Sequence, residues 1–260
     1  AADVTNTPFQ PSPTPRPLAA RVNGRDVSLA AYQASLNMLT AADAEQGITR
    51  TEEEQRELVL GELIDRALLA AAAEAGGYTL DEAAVSERAS QLETDLGGAD
   101  ALAAWQAQYG LNGERFVEVL HESELAAWQR DQIISAVPER MEQVHARQIR
   151  VREEETIQDI LGNLNSGAEF ATVARQYDPT TGGDLGWFPR GYLLQPEVEE
   201  AAFALQAGEV SGMIDSQVGY HLVQVIEREA ERELTPEVRT VLQQKALSTW
   251  LDGQRASAQI

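Results

Sequence analysis

Three histidines, His121, His145 and His221, are the only imidazoles in the chain, and cysteine is absent. Without a thiol there is no thiolate nucleophile, no disulfide and no sulfur ligand for a metal, and three scattered histidines argue against an imidazole metal centre. The most specific string is Gly182-Gly183-Asp184-Leu185-Gly186-Trp187-Phe188-Pro189-Arg190-Gly191. Glycines at this density mark a backbone that needs positive φ or comes close to another chain segment. Leu185, Trp187 and Phe188 within such a loop either fill a core or line a groove.

The segments around the loop must position it. From Val144 to Val151 the residues alternate in the manner of a strand, and Ile157, Ile160, Leu161 and Leu164 repeat at helical spacing. Phe170, Val173, Ala174 and Tyr177 predict a further helix before the loop, and Val198, Ala201, Ala202 and Phe203 a short one after it. Val210 to Ile214 and Tyr220 to Ile226 read as strands joined near Gly219. This order predicts a small mixed sheet covered by helices, over residues 142–231. Residues 19–141 read as helices instead. Asn23-Gly24 is a tight-turn signal, Ser28 suits an N-cap, Thr51 precedes a long helix, and Thr79 with Glu82 predicts a capping box. After Thr235-Pro236 a last amphipathic helix begins. It cannot bury its own apolar stripe, so residues 232–260 are expected to pack back on the helical region. The fold class is therefore α+β in two domains.

Residues 1–18 form a proline-rich linker. The run from Thr7 to Pro17 holds five of the chain's ten prolines and favours an extended spacer. The formal net charge of -22 argues against nucleic-acid partners, which need a basic surface. No stretch approaches 18 uninterrupted apolar residues, so no transmembrane helix is expected.

The segment from Val144 to Glu227 resembles the parvulin-type (PpiC, rotamase) peptidyl-prolyl isomerases. The resemblance is carried by Gly167-Ala168-Glu169-Phe170, the Gly-Gly-Asp-Leu-Gly-Trp-Phe loop, and Pro196-Glu197-Val198-Glu199-Glu200-Ala201-Ala202-Phe203-Ala204-Leu205. Gly208-Glu209-Val210-Ser211 and Gly219-Tyr220-His221-Leu222-Val223 follow in the same order. The helical half is similar, more loosely, to the chaperone region of SurA- and PrsA-type foldases, through its Val-Asn-Gly entry and the Leu-Ile-Asp-Arg-Ala-Leu-Leu helix.

The resemblance implies a four-stranded, mostly antiparallel sheet covered by helices, and isomerisation of X-Pro bonds in unfolded or extended polypeptide clients. Rotation about a peptide bond meets a barrier of about 18–20 kcal/mol but breaks no bond. No cofactor or metal is needed, only a slot for the proline ring and fixed polar groups around the rotating carbonyl. By the family pattern His221 matches the second of two histidines, while Gln148 stands where the first belongs, in Ala146-Arg147-Gln148-Ile149. Asp178 is the candidate for the family's aspartate or cysteine, although an Asp before Pro179 also starts a turn. Leu185, Leu194 and Val198 fall at slot-lining positions, with Trp187 and Phe188 beside them, and Val198 replaces a Phe, implying a wider slot. His145, three residues from Gln148, is expected on the opposite face of the strand. Glutamine hydrogen-bonds but cannot titrate, so the implied enzyme has an altered polar centre and weak turnover. The alternatives are a non-catalytic holdase that grips extended segments in the parvulin groove and a helical cradle, and an adaptor that docks onto other envelope proteins. The resemblance and the proline-rich leader also imply an extracytoplasmic location, with tethering through a lipid anchor that would precede Ala1.

Overall fold

The computed structural model describes residues 17–260; the proline-rich run up to residue 16 lies outside the described residues. The chain divides into two compact units. One runs to Gln132 and includes Trp250–Ile260, and the other is Ile133–Thr249.

The first unit opens with a hairpin, β1 (Leu18–Val22) and β2 (Arg25–Ser28), turned at Asn23-Gly24 with both residues at positive φ. Helices α1 (Leu29–Gln46), α2 (Glu52–Ala75), α3 (Glu82–Leu96) and α4 (Ala99–Tyr109) follow, and α5 (Glu114–Ser135) runs on into the second unit. Ser28 caps α1 by accepting from the Ala31 amide. The capping box sits at Thr51 and Glu54, ahead of α2. Thr79 and Glu82 do not form one, because Asp81 lies closer to the first turn of α3 and accepts from Ala83. Val22 and Val27 of the hairpin pack with Val59, Leu63, Ala67 and Leu68 of α2. Ala258 at the chain's end joins this cluster, and Arg255 makes a two-pronged ion pair with Asp65.

The second unit is built on a sheet of β3 (Arg140–Val151), β4 (Asp184–Pro189), β5 (Ile214–Ser216) and β6 (Gly219–Glu233), in the order β4-β3-β6-β5 with every pair antiparallel. The expected strand over Val210–Ile214 is shortened to a single bridge, Val210 to Gln224, before β5. Ser211 accounts for this: its amide and hydroxyl take both backbone groups of Val223, leaving no regular ladder. Helices α6 (Glu154–Asn165) and α7 (Phe170–Tyr177) cover one face of the sheet with Ile157, Ile160, Phe170, Val173 and Ala174 against Ile149, Val151 and Leu222. Helix α8 (Pro196–Ala204) covers the other, packing Val198, Ala202 and Phe203 on Val144, Ala146, Val223 and Val225. The last helix, α9 (Pro236–Ser257), places Val238 and Leu242 with Leu234 in this unit, and from Trp250 onward it belongs to the first. Among the described residues no helix is long and apolar enough to cross a membrane.

Candidate functional site

Alternation along β3 puts Val144, Ala146, Gln148 and Arg150 on the α8 side of the sheet. His221 lies directly opposite Arg150, and Val223 opposite Gln148. Cross-strand partners share a face, so β3 and β6 together bring Gln148 and His221 to one corner. The His221 Nδ1 lies 2.9 Å from Gln148 Oε1, and its Nε2 2.8 Å from the Ser216 hydroxyl. An amide oxygen only accepts, so Nδ1 carries the imidazole proton and Nε2 is left as an acceptor facing the Ser216 hydroxyl, which also lies 3.0 Å from the Gly219 carbonyl oxygen. The Ser216 oxygen in turn accepts the Val218 amide. His221 is 1% exposed. Burial lowers its pKa, and the nearby Arg150 charge lowers it further against an opposing effect of Glu197. It is held neutral.

Two glycines make this corner possible. Gly183 sits at φ +73°, and a Cβ there would overlap the carbonyl oxygen of Gln148. Its own carbonyl accepts the Gln148 amide at 2.8 Å, so the glycine-rich loop is sealed directly onto the strand residue that carries the site. Gly219 has φ +122°, and a side chain there would overlap the Val151 carbonyl. The β5–β6 turn that presents Ser216 therefore lies against the end of β3.

His145 points away from this corner. It pairs with Trp187 and Glu227 across the sheet, and its Nε2 lies 2.8 Å from Asp184 Oδ1. Burial works against ionisation of Asp184, but the Gly186 amide and His145 bring its pKa below the ordinary carboxylate value. Asp178 does not join Gln148 and His221 through any of its hydrogen bonds. It ends α7, accepting from the Thr180 and Thr181 amides and the Thr181 hydroxyl, and these bonds depress its pKa. These bonds hold its own turn.

The residues expected to line a slot separate into three groups. Leu185, the unpaired residue at the β4 bulge, is half-buried against the α8-side core. Leu194 is 91% exposed, on the loop before α8. That loop is pinned by Glu199, whose carboxylate accepts the Gly191 and Leu193 amides at 2.7 and 3.0 Å. Phe188 and Val198 face the correct side but are 0% and 2% exposed, so they are core side chains offering a ligand almost no surface. Trp187 is paired with His145, which places it on the face away from Gln148, with Arg232 over its ring. Strand alternation explains why Trp187 and Phe188 part company, since adjacent residues of a strand face opposite sides of the sheet.

Three participants were not singled out from sequence. Ser216 is signalled only by its spacing from Gly219 and His221, Arg150 by even alternation from Gln148, and Glu199 by an acidic first turn on α8. In the first unit, a separate hollow of about 660 Å³ is lined by Leu18, Val27, Leu80 and Leu125 with Arg25 and Glu122. Arg25 pairs with Glu74 and approaches Glu122 at 4.0 Å. Burial raises the Glu122 pKa despite this arginine. Among the described residues no cluster of His, Asp and Glu could hold a metal ion.

A four-stranded antiparallel sheet, helices on both faces and a glycine-sealed polar corner define a parvulin-like domain. Residues 133–227 match the family described as the PPIC-type PPIASE domain, Rotamase, and this segment is a domain of that type. The chain is similar to foldase protein PrsA of Caldanaerobacter subterraneus subsp. tengcongensis, at 44% identity over 33% of this chain and 29% of the relative. It is similar to PrsA of Halalkalibacterium halodurans at 28% identity over 74% of this chain and 64% of the relative. Chaperone SurA of Dechloromonas aromatica matches at 34% identity over 43% of this chain and 28% of the relative. The chain thus spans less than two thirds of the length of each of these relatives. The crystal structure of peptidylprolyl isomerase PrsA from Bacillus cereus shares the fold, with a TM-score of 0.53 and 21% identity over 92% of this chain and 89% of that one.

Proposed function

We propose that the protein is a peptidyl-prolyl isomerase of low turnover, acting as a foldase on unfolded, X-Pro-containing clients outside the cytoplasm. The observation that carries this reading is the Gln148–His221–Ser216 chain at the open corner of a PPIC-type domain. His221 is closed off from solvent and satisfied at both nitrogens, so it is a positioning residue: it fixes the Gln148 carbonyl oxygen inward. The Gln148 amide nitrogen is then the polar group left to meet a client. None of the described residues accepts from it.

A hydrogen bond from that nitrogen to the X-Pro unit lowers the barrier if it is stronger in the twisted amide than in either planar form. Leu185 and the exposed Leu194 supply apolar contact for the proline side of the bond. A neutral amide adjusts neither its charge nor its proton during rotation, and each 1.36 kcal/mol of lost discrimination is about tenfold in rate. Slow turnover is the consequence. Secretion or tethering, including a lipid anchor before Ala1, is part of this reading through the PrsA and SurA relatives.

The test is a proline-limited refolding assay with the full chain. A slow refolding phase accelerated weakly but in proportion to protein concentration supports the reading. A rate that does not change at stoichiometric protein contradicts it. A holdase reading has its own support in the hollow of the first unit, whose leucines and Val27 offer apolar contact among charged residues, since non-native chains expose apolar segments. It requires that aggregation of a denatured client be suppressed while the proline-limited phase stays unchanged.

A further inference from the structure

The loop between β4 and α8 is tied down residue by residue. Arg190 lies with its guanidinium 4.2 Å from the centre of the Phe203 ring. Gly191 takes a φ of +87°, a conformation that suits glycine, and both of its backbone polar groups are bound. Its amide donates to Glu199 of α8, and its carbonyl oxygen accepts from the Lys245 ammonium of α9 at 2.8 Å. Tyr192 packs with Val238 and Leu242 of α9. Leu193 joins the α8-side core while its amide also donates to Glu199. The Gln195 carbonyl then opens α8 by accepting the Val198 and Glu199 amides. Between these fixed points stands Leu194, the most exposed large apolar side chain among the described residues. Its exposure follows from the loop's fixed course, not from slack in it.

We infer that Lys245 is a positioning residue of the X-Pro site, fixing through Gly191 the loop that presents Leu194 to the proline side of a client. The inference rests on the reading that X-Pro segments bind beside Gln148 with Leu194 in contact. Lys245 is the single lysine among twenty basic residues. It stands three residues beyond Leu242 on α9, so both side chains leave the same face of the helix. Leu242 comes close enough to touch even a methyl group added at Gly191, at 3.6 Å. An ammonium is a compact donor on a long stem, suited to one carbonyl oxygen. With the Glu199 carboxylate on the amide side, Gly191 is held between opposite charges by two charge-assisted hydrogen bonds. The lysine need not touch the client. Without it, the loop must be ordered at the moment of binding, and that entropy is taken from affinity.

The experiment titrates the full chain with an amidated peptide, Ala-Ala-Leu-Pro-Phe, and follows it by NMR. Shifts give Kd, and exchange peaks in the same samples give the cis–trans rate at saturation. Lys245→Met is expected to weaken binding about fivefold, with the loss falling on Kd more than on the rate. Lys245→Arg keeps a charged donor and is expected to bind within about twofold of the unsubstituted chain. Leu194→Ala weakens binding too, and adding Lys245→Met to it brings no further loss, because the lysine acts through that leucine. Unchanged binding by a Lys245→Met protein with unchanged circular dichroism overturns the assignment. So does a double substitution whose effect is the product of the two single effects, or a Lys245→Arg protein as weak as Lys245→Met. Binding without accelerated exchange overturns the isomerase reading but not the role of Lys245, which Kd alone then decides. No binding to the unsubstituted chain overturns both.

Discussion

The two faces of the β3–β6 sheet are built to different rules. Under α6 and α7 the part of the face that the helices cover is apolar: Ile149, Val151 and Leu222 meet Ile157, Ile160, Phe170 and Val173. Under α8 the same strands begin apolar, with Val144, Ala146, Val223 and Val225, and then change to Gln148, His221 and Arg150 at the far corner. A buried histidine and a half-buried glutamine beside a dry core cost stability unless every polar atom inside is partnered. His221 meets that condition through Gln148 and Ser216. The lesson is that beneath the helices buried polarity gathers at the Gln148–His221 corner, and the packed apolar positions of both faces are scaffold for it.

Removing the scaffold should have the largest effect. Phe188→Ala takes away a side chain that is 0% exposed and packs edge-on against Phe203 at 6.1 Å. It should lower the unfolding free energy by about 3–5 kcal/mol in a denaturant titration. A loss near zero would mean Phe188 is not core and would return it to the list of groove residues. His221→Ala should cost less, about 1–3 kcal/mol, by leaving Gln148 and Ser216 without their partner. The sharper signature is a Gln148 side-chain amide that gains mobility in NMR relaxation. An amide as rigid as before would show that His221 does not position it.

The smallest effect is on titration. The folded pKa of His221 is lowered, first by burial and then by Arg150. The neutral form is thus preferred on folding. Its stability contribution is intact above the unfolded value of about 6.5 and is lost as pH falls below it toward the folded value. A histidine NMR titration should find His221 below the ordinary midpoint. Arg150→Gln should move it upward without restoring it fully, because burial remains. A midpoint at or above the ordinary value in the unsubstituted protein would break the contrast between the two faces.

Much of this architecture was legible in the sequence. Alternation from Val144 to Val151 located β3, and the glycine-rich string marked the loop that seals it, but not that Asp184–Pro189 of that string pairs as β4. The Gly-Tyr-His order marked β6. From the strand period alone, Gln148 was separable from His145, and the structure places them on opposite sides. What was not legible depends on contacts between distant segments. Trp187 and Phe188 are adjacent apolar residues, and only the pairing of β4 with β3 decides that one faces His145 and the other the core. Ser211 shortens the predicted strand by bonding to Val223, twelve positions away. The capping role near residue 80 went to Asp81 because the helix begins at Glu82, two residues later than the Thr79–Glu82 spacing requires. Ser216 reads as an ordinary turn residue until β5 and β6 fold onto each other.

The central claim is that the amide of Gln148, held by His221, occupies the position of a catalytic imidazole and limits turnover. The most direct measurement is the proline-limited rate constant of the Gln148→His protein against the unsubstituted chain, at equal concentration and with unchanged circular dichroism. An imidazole at residue 148 bonded to His221 should raise the rate at least about tenfold, equivalent to 1.36 kcal/mol of improved transition-state binding. An unchanged or lower rate in a folded protein would contradict the account.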